Sequence, residues 1–157
     1  MKNMGNEKYN FQYCQKIVVF SQDRSKILLC KRRGEADYDG TFSFIGGKLE
    51  TGDGSILDGL RREKNEEVGA DFKIRIYLDF STNVFFVKKD GSSMILPHYY
   101  AEHLEGEINL SDEYSEFGWI PIEEVPAFEP KVETIPYIIE RLVPARETLI
   151  KGKSEII

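Results

Sequence analysis

Apolar residues fall in short runs separated by polar turns, with one segment of helical spacing near the middle of the chain. Residues 15–20 (QKIVVF) and 26–31 (KILLCK) flank the polar turn SQDRS, which predicts two strands. A third short run, 41–45 (TFSFI), stops at Gly46-Gly47. After KLETGDG a helical pattern extends from Ser55 to Val68. Ser55 suits an N-cap, Asp58 lies near the positive end, and Gly69 suits a C-terminal stop. Strand patterns resume at 72–80 (FKIRIYLDF) and 83–88 (NVFFVK). Asp90-Gly91 signals a hairpin. The strand after it spans 94–103, where Pro97 argues for an edge or a bulge. Residues 116–120 (EFGWI) predict one more strand. From 133 to 150 the pattern is helical, with Ile135, Ile138, Ile139 and Leu142 on one side. Pro136 suits a first turn there, and Pro144 a kink or a stop. Strands, a central helix, further strands and a terminal helix predict an α/β protein: a mixed sheet between helices, in one domain over residues 1–157.

Composition narrows the class. Hydrophobic residues are 41% and charged residues 31% of 157, which suits a packed core under a solvated surface. The net charge of -6 argues against binding a polyanion, so no nucleic-acid partner is expected. It would also repel a phosphate ester unless bound cations or local Arg and Lys reverse the sign. Cys14 and Cys30 sit inside apolar runs and read as free buried thiols. The first ten residues, MKNMGNEKYN, hold no apolar stretch, so no signal peptide is read, and no run reaches the ~18 apolar residues of a membrane span. A cytoplasmic protein without a membrane partner is the expectation.

The chemistry concentrates between Gly46 and Gly69 (GGKLETGDGSILDGLRREKNEEVG). Glu63, Glu66 and Glu67 are spaced i, i+3 and i+4, so three carboxylates share one helix face and repel one another. A divalent cation would offset that repulsion, since Mg²⁺ takes hard oxygen ligands and leaves room for substrate phosphates. Arg61 and Arg62 offer a partial offset. Without other context such a run is a solvated acidic face. Here, however, a Gly-Gly turn enters just ahead of the helix, where backbone can approach a ligand closely, and Lys48 adds a positive charge.

This stretch resembles the signature of the Nudix hydrolase family: Gly, five residues, Glu, seven residues, Arg-Glu, an apolar residue, any residue, Glu-Glu, any residue, Gly and an apolar residue. Gly47 takes the first place, and Arg62-Glu63, Glu66-Glu67, Gly69 and Ala70 take the later ones. The pattern Arg-Glu-x-x-Glu-Glu-x-Gly arises by chance roughly once in a million start positions. Three positions depart from it. Asp53 stands where the family has its first Glu, eight residues rather than seven separate it from Arg62 (the extra one falling near Gly54), and Lys64 occupies a usually apolar position. Lys64 is expected to snorkel or to find an acid partner.

The resemblance implies a Nudix-type α/β/α sandwich with a central mixed β-sheet. It implies Mg²⁺ or Mn²⁺ held by the Gly46 carbonyl and by Glu63 and Glu67, with Glu66 a further ligand or held by Arg62. Asp53 would support the loop by pairing with Arg62, and Gly47 and Gly69 would shape the site. One glutamate, in the helix or on a later loop, would deprotonate the attacking water: Glu66, Glu67, or one of Glu113 and Glu116 in SDEYSEFGW. Glu116, three residues before Trp119, has the firmer platform at a strand entrance. Arg32, Arg33 and Lys48 could hold phosphate oxygens. The implied activity is metal-dependent cleavage of a phosphoanhydride bond in a nucleoside diphosphate linked to another moiety, by a chain acting alone or as a homodimer. Two other readings belong to the same fold: a non-catalytic nucleotide sensor, which usually loses helix glutamates retained here, and an isoprenoid diphosphate isomerase, which needs a cysteine in its pocket.

Overall fold

A computed structural model describes residues 8–148 and 153–157. The elements are β1 (Gln12–Phe20), β2 (Lys26–Arg32), β3 (Phe42–Ser43), β4 (Ile45–Lys48), α1 (Ile56–Val68), β5 (Lys73–Val87), β6 (Ser93–Glu105), β7 (Tyr114–Pro121), α2 (Ile135–Leu142) and β8 (Glu155–Ile156), with 3-10 turns at Ile122–Ala127 and Val143–Glu147. The sheet runs β3-β2-β1-β6-β5-β8, with β4 on β1 and β7 on β2. Among the described strands, β1 and β6 pair in parallel and the other pairs are antiparallel; the sheet is therefore mixed.

Why both faces are covered follows from β1. Its run Ile17–Phe20 is continuously apolar, and alternate side chains enter different cores. Ile17 and Val19 pack with Leu60 and Val68 of α1. Val18 and Phe20 pack with Ile135, Ile138, Ile139 and Leu142 of α2. The result is the expected α/β/α sandwich. Directly after their turn β1 and β2 share only the pair Phe20–Ile27, then part. From there β1 pairs with β4 and β2 with β7.

Helix α1 begins where its cap predicts: the Ser55 hydroxyl accepts from the Asp58 amide at 3.0 Å. It ends at Gly69, with φ 93°, whose N–H donates to the Asn65 carbonyl. Several boundaries differ from the sequence expectation. The two strands expected at 72–80 and 83–88 are one strand, β5, whose pairing with β6 jumps from Tyr77–Tyr100 to Ser81–Tyr99. The polar break is thus a bulge within a ladder. Pro97 does not mark an edge, because β6 lies between β1 and β5. The ladder to β1 is broken between Tyr13–Ile95 and Lys16–His98, and that gap accommodates the missing N–H of Pro97. The terminal helix stops at Leu142, shorter than expected, and Pro144 falls in the following 3-10 turn; residues 149 and 150 of the expected helix lie outside the described residues. Strand β8, which pairs with Arg75 and Ile76, had no sequence signal. Among the described residues no helix is long and apolar enough to cross a membrane.

Lys64 neither snorkels nor meets an acid. It is fully buried, and its ammonium donates to the carbonyls of Phe72 at 2.8 Å and Gly69 at 3.2 Å. Burial lowers its pKa to about 8. The charge therefore closes the C-terminal end of α1, where carbonyls lack helical partners.

Candidate active site

Helix α1 lies against β4, and that contact assembles the site. Arg62 is its hub. Its guanidinium grips Asp53 by two bonds of 2.9 and 2.8 Å, donates to Glu63 at 2.8 Å and to the Lys48 carbonyl at 3.1 Å, and lies 3.3 Å from Glu50 and 3.6 Å from Glu66. The forked contact holds the Asp53 carboxyl down to about 2. Asp53 also accepts from the Glu50 amide at 2.8 Å, closing the loop before α1. The shorter acid and the extra residue are therefore accommodated without loss of the expected pairing.

The glutamates are not equivalent. Glu67 is 4% exposed, and its Oε1 accepts from the Gly46 amide at 2.7 Å and from the Tyr114 hydroxyl at 2.9 Å. Burial raises its pKa to about 7, opposed by the nearby Lys16 charge and by those hydrogen bonds. Burial also raises Glu63, against the pull of Arg62, and Glu66 and Glu113 add like charge to it. Glu66 remains largely in solvent. Gly47 has a steric role, since a Cβ there would overlap the Glu63 carboxylate. Gly46, with φ 129°, lies so close to β1 that a Cβ would strike the Gln15 carbonyl.

Three carboxylates and a peptide carbonyl form a set of hard oxygen donors, which suits Mg²⁺ or Mn²⁺. Gly46 and Gly47, expected as a turn, lie within β4 and pair with Lys16 and Gln15 of β1; the space at Gly47, which admits the Glu63 carboxylate to that strand, fits such use. Among the described residues, no three acidic, histidine or cysteine side chains already converge on one point. Arg62 engages Glu63, and Glu67 faces the Gly46 amide, so these groups must turn to share an ion.

The site opens into a cleft of about 530 Å³ where β1 and β2 part. Gly46, Glu67, Lys16, Lys48 and Arg32 are among the residues that line it. The Arg32 guanidinium pairs with Glu35, while its Nε is buried without a partner among the described residues. Arg33 turns elsewhere and donates twice to the Asp112 carbonyl, at 3.1 and 2.9 Å. Of the two later acids, Glu113 precedes β7 and adds like charge to Glu63. Glu116 sits within β7, opposite Lys31 and 3.8 Å from its ammonium. In the same cleft wall, the rings of Tyr38 and Phe86 meet at 5.6 Å, and the Tyr38 hydroxyl donates to Glu133 at 2.9 Å. Cys14 is buried in the cleft wall, and burial pushes the Cys30 thiol well up.

Sequence reasoning missed Lys16 and Tyr114 as site residues. Lys16 did carry a signal: a charge inside the run QKIVVF, on a strand buried from both sides, needs a reason. His98 is buried with Nδ1 2.9 Å from the Leu96 carbonyl and its ring edge-on to Phe44. Burial lowers its pKa to about 4, with Lys16 adding to the shift. The imidazole is thus neutral in the fold but ordinary, near ~6.5, in the unfolded chain. Its stabilising contribution is complete above that value and is lost as pH falls towards 4, up to about 3 kcal/mol. Urea midpoints compared between the wild type and His98→Gln should converge along that acid limb; a constant gap from pH 7 to 4 would count against it.

The family model of the NUDIX domain matches residues 14–142. No curated protein sequence matches the chain. Among solved structures, a MutT protein from Methanosarcina mazei superposes with TM-score 0.70 at 19% identity, covering 87% of this chain and 96% of that one. An Ap4A hydrolase from C. elegans gives 0.72 at 14%, covering 87% and 98%. The NUDIX domain of Shewanella oneidensis NrtR, complexed with ADP ribose, gives 0.66 at 19%, covering 94% and 99%. These likenesses establish the fold. With the domain model spanning the whole glutamate-bearing turn and both helices, the chain belongs to the NUDIX family and is a hydrolase acting on phosphorus-containing acid anhydrides.

Proposed function

We propose that the protein is a divalent-metal-dependent pyrophosphohydrolase that cleaves the phosphoanhydride bond of a nucleoside diphosphate linked to another moiety. The observation that carries this reading is the make-up of one cleft, whose wall holds Lys16, Lys48, Arg32 and Glu67 together with the paired rings of Tyr38 and Phe86. A diphosphate suits the cations and a nucleobase the rings.

In this reading Glu63, Glu66, Glu67 and the Gly46 carbonyl would hold the ion. When bound, a divalent cation neutralises phosphate charge and eases attack by water. The chain's own groups do the rest. Arg62 keeps the glutamates and the 48–53 loop in register. Arg32 and Lys48, on the cleft wall, orient phosphate oxygens. Arg33 instead steadies the loop bearing Glu113 by holding the Asp112 carbonyl. Glu113 is the loop acid suited to take the proton of the attacking water on its carboxylate, because it shares the field of Glu63.

The test is a panel of nucleoside triphosphates, nucleotide sugars, ADP-ribose and Ap4A with and without Mg²⁺, following phosphate or nucleotide release. Hydrolysis of none of them, or equal rates in EDTA, would defeat the proposal. Within an active panel, Glu113→Gln should lower kcat by roughly 100-fold with little change in KM, and Glu116→Gln should be nearly silent. The opposite ranking would return the base to the strand, and two silent variants would place it on α1.

A further inference from the structure

Lys16 is a charged side chain buried to 7% exposure on β1. Its strand neighbours are Gly46 of β4 on one side and His98 of β6 on the other. Among the described residues its ammonium makes one hydrogen bond, to the Gly46 carbonyl, at the long distance of 3.4 Å. An ammonium has three donors, so two remain for something else. The side chain lines the cleft beside Glu67, whose carboxylate feels its charge. A buried, under-used ammonium is costly unless a ligand completes it. The ligand must be an acceptor, and Lys48 and Arg32 line the same cleft, a set of cations suited to phosphate.

We propose that Lys16 is a phosphate-binding residue: its ammonium, beside the Gly46 carbonyl in the cleft that Glu67 also lines, takes a non-bridging oxygen of the substrate diphosphate and supplies positive charge at a place where it competes with a divalent ion. The substrate class rests on the pyrophosphohydrolase reading above. The competition follows from distance. A metal on the Gly46 carbonyl would sit ~2.1 Å from that oxygen, hence within roughly 6 Å of the ammonium on the same oxygen. At that separation two cations repel strongly in a partly buried site. The fixed charge gives the site a share of its diphosphate affinity that needs no ion, and it lowers the site's affinity for the ion alone.

Two titrations of the full chain test this. In EDTA at low ionic strength, calorimetry with inorganic pyrophosphate should show binding to the wild type, weakened at least roughly tenfold in Lys16→Met, the effect of losing a charge-assisted hydrogen bond. Without pyrophosphate, Mn²⁺ binding followed by electron paramagnetic resonance should tighten by roughly tenfold in the same variant. Thermal melts confirm that the variant is folded; Lys16→Gln, neutral but polar, replaces it if it is not. Unchanged pyrophosphate affinity, no metal-free binding to the wild type, or weaker Mn²⁺ binding in the variant overturns the assignment. These outcomes separate from the broader reading: a wild type that hydrolyses nucleotides while Lys16→Met keeps its pyrophosphate affinity refutes Lys16 alone. A wild type that hydrolyses none refutes the pyrophosphohydrolase reading, whatever the titrations show.

Discussion

Replacement of Glu67 by Gln is expected to lower kcat by at least ~100-fold while the protein stays folded, because an acid-base or charge-stabilising group is worth that much or more. The structure explains why the two effects separate. The Glu67 Oε1 accepts from the Gly46 amide and the Tyr114 hydroxyl, and an amide oxygen at the same place can accept from both. What disappears is the negative charge, on which both metal holding and proton transfer would depend. The fold bears a cost for that charge, since burial raises the carboxyl from 4.5 to about 7. Over that interval the native state keeps a proton that the unfolded chain has released, so wild-type stability falls as pH rises from 4.5 to 7 and levels off above. In EDTA, Glu67→Gln should therefore gain on the wild type across this window. Denaturant melts at several pH values, read beside turnover with Mg²⁺, check both halves. Near-normal turnover would show that Glu67 is not the group on which the chemistry depends.

The adjacent glycines should fail in different ways. Gly46→Ala places a methyl group against the Gln15 carbonyl and the Lys16 Cα, both backbone atoms of a central strand, at a φ of 129° that disfavours any side chain. Neither neighbour can yield without moving β1, so a loss of more than about 3 kcal/mol is expected, seen as a collapse of the urea midpoint. Gly47→Ala meets only the end of a flexible side chain, the Glu63 carboxylate. The chain should fold, but with that carboxylate displaced, and turnover should drop about 100-fold, the scale of an ångström-sized misplacement. Mn²⁺ binding should weaken in parallel. If Gly47→Ala keeps full activity, the Glu63 position is not tied to the chemistry. If Gly46→Ala melts like the wild type, the close approach of β4 to β1 is looser than it looks.

Much of the fold was legible because it rests on local rules. The Ser55 cap, the Gly69 stop and the i, i+3, i+4 glutamates on one helix turn depend on spacing alone, and the alternation within Ile17–Phe20 already requires cover on both faces of the sheet. The chance-defying match at residues 62–69 is also a property of the linear chain, and with it came the pairing of Asp53 with Arg62. What the sequence could not decide depends on which segments meet. Pro97 suggests an edge by local rules, yet β1 pairs around it. Lys64 looks like a surface charge until the carbonyls of Gly69 and Phe72 fold over it. Between Glu113 and Glu116, three residues apart, local context favours Glu116 for its place at a strand entrance; the pairing of β7 with β2 is what sets Glu116 opposite Lys31. Lys16 and Tyr114, far apart in the chain, close on Glu67 because β1, β4 and β7 arrive around one buried carboxylate. Helix spacing is set by neighbours along the chain, whereas burial, and with it the pKa of a carboxylate or the duty of a lysine, is set by residues dozens of positions away.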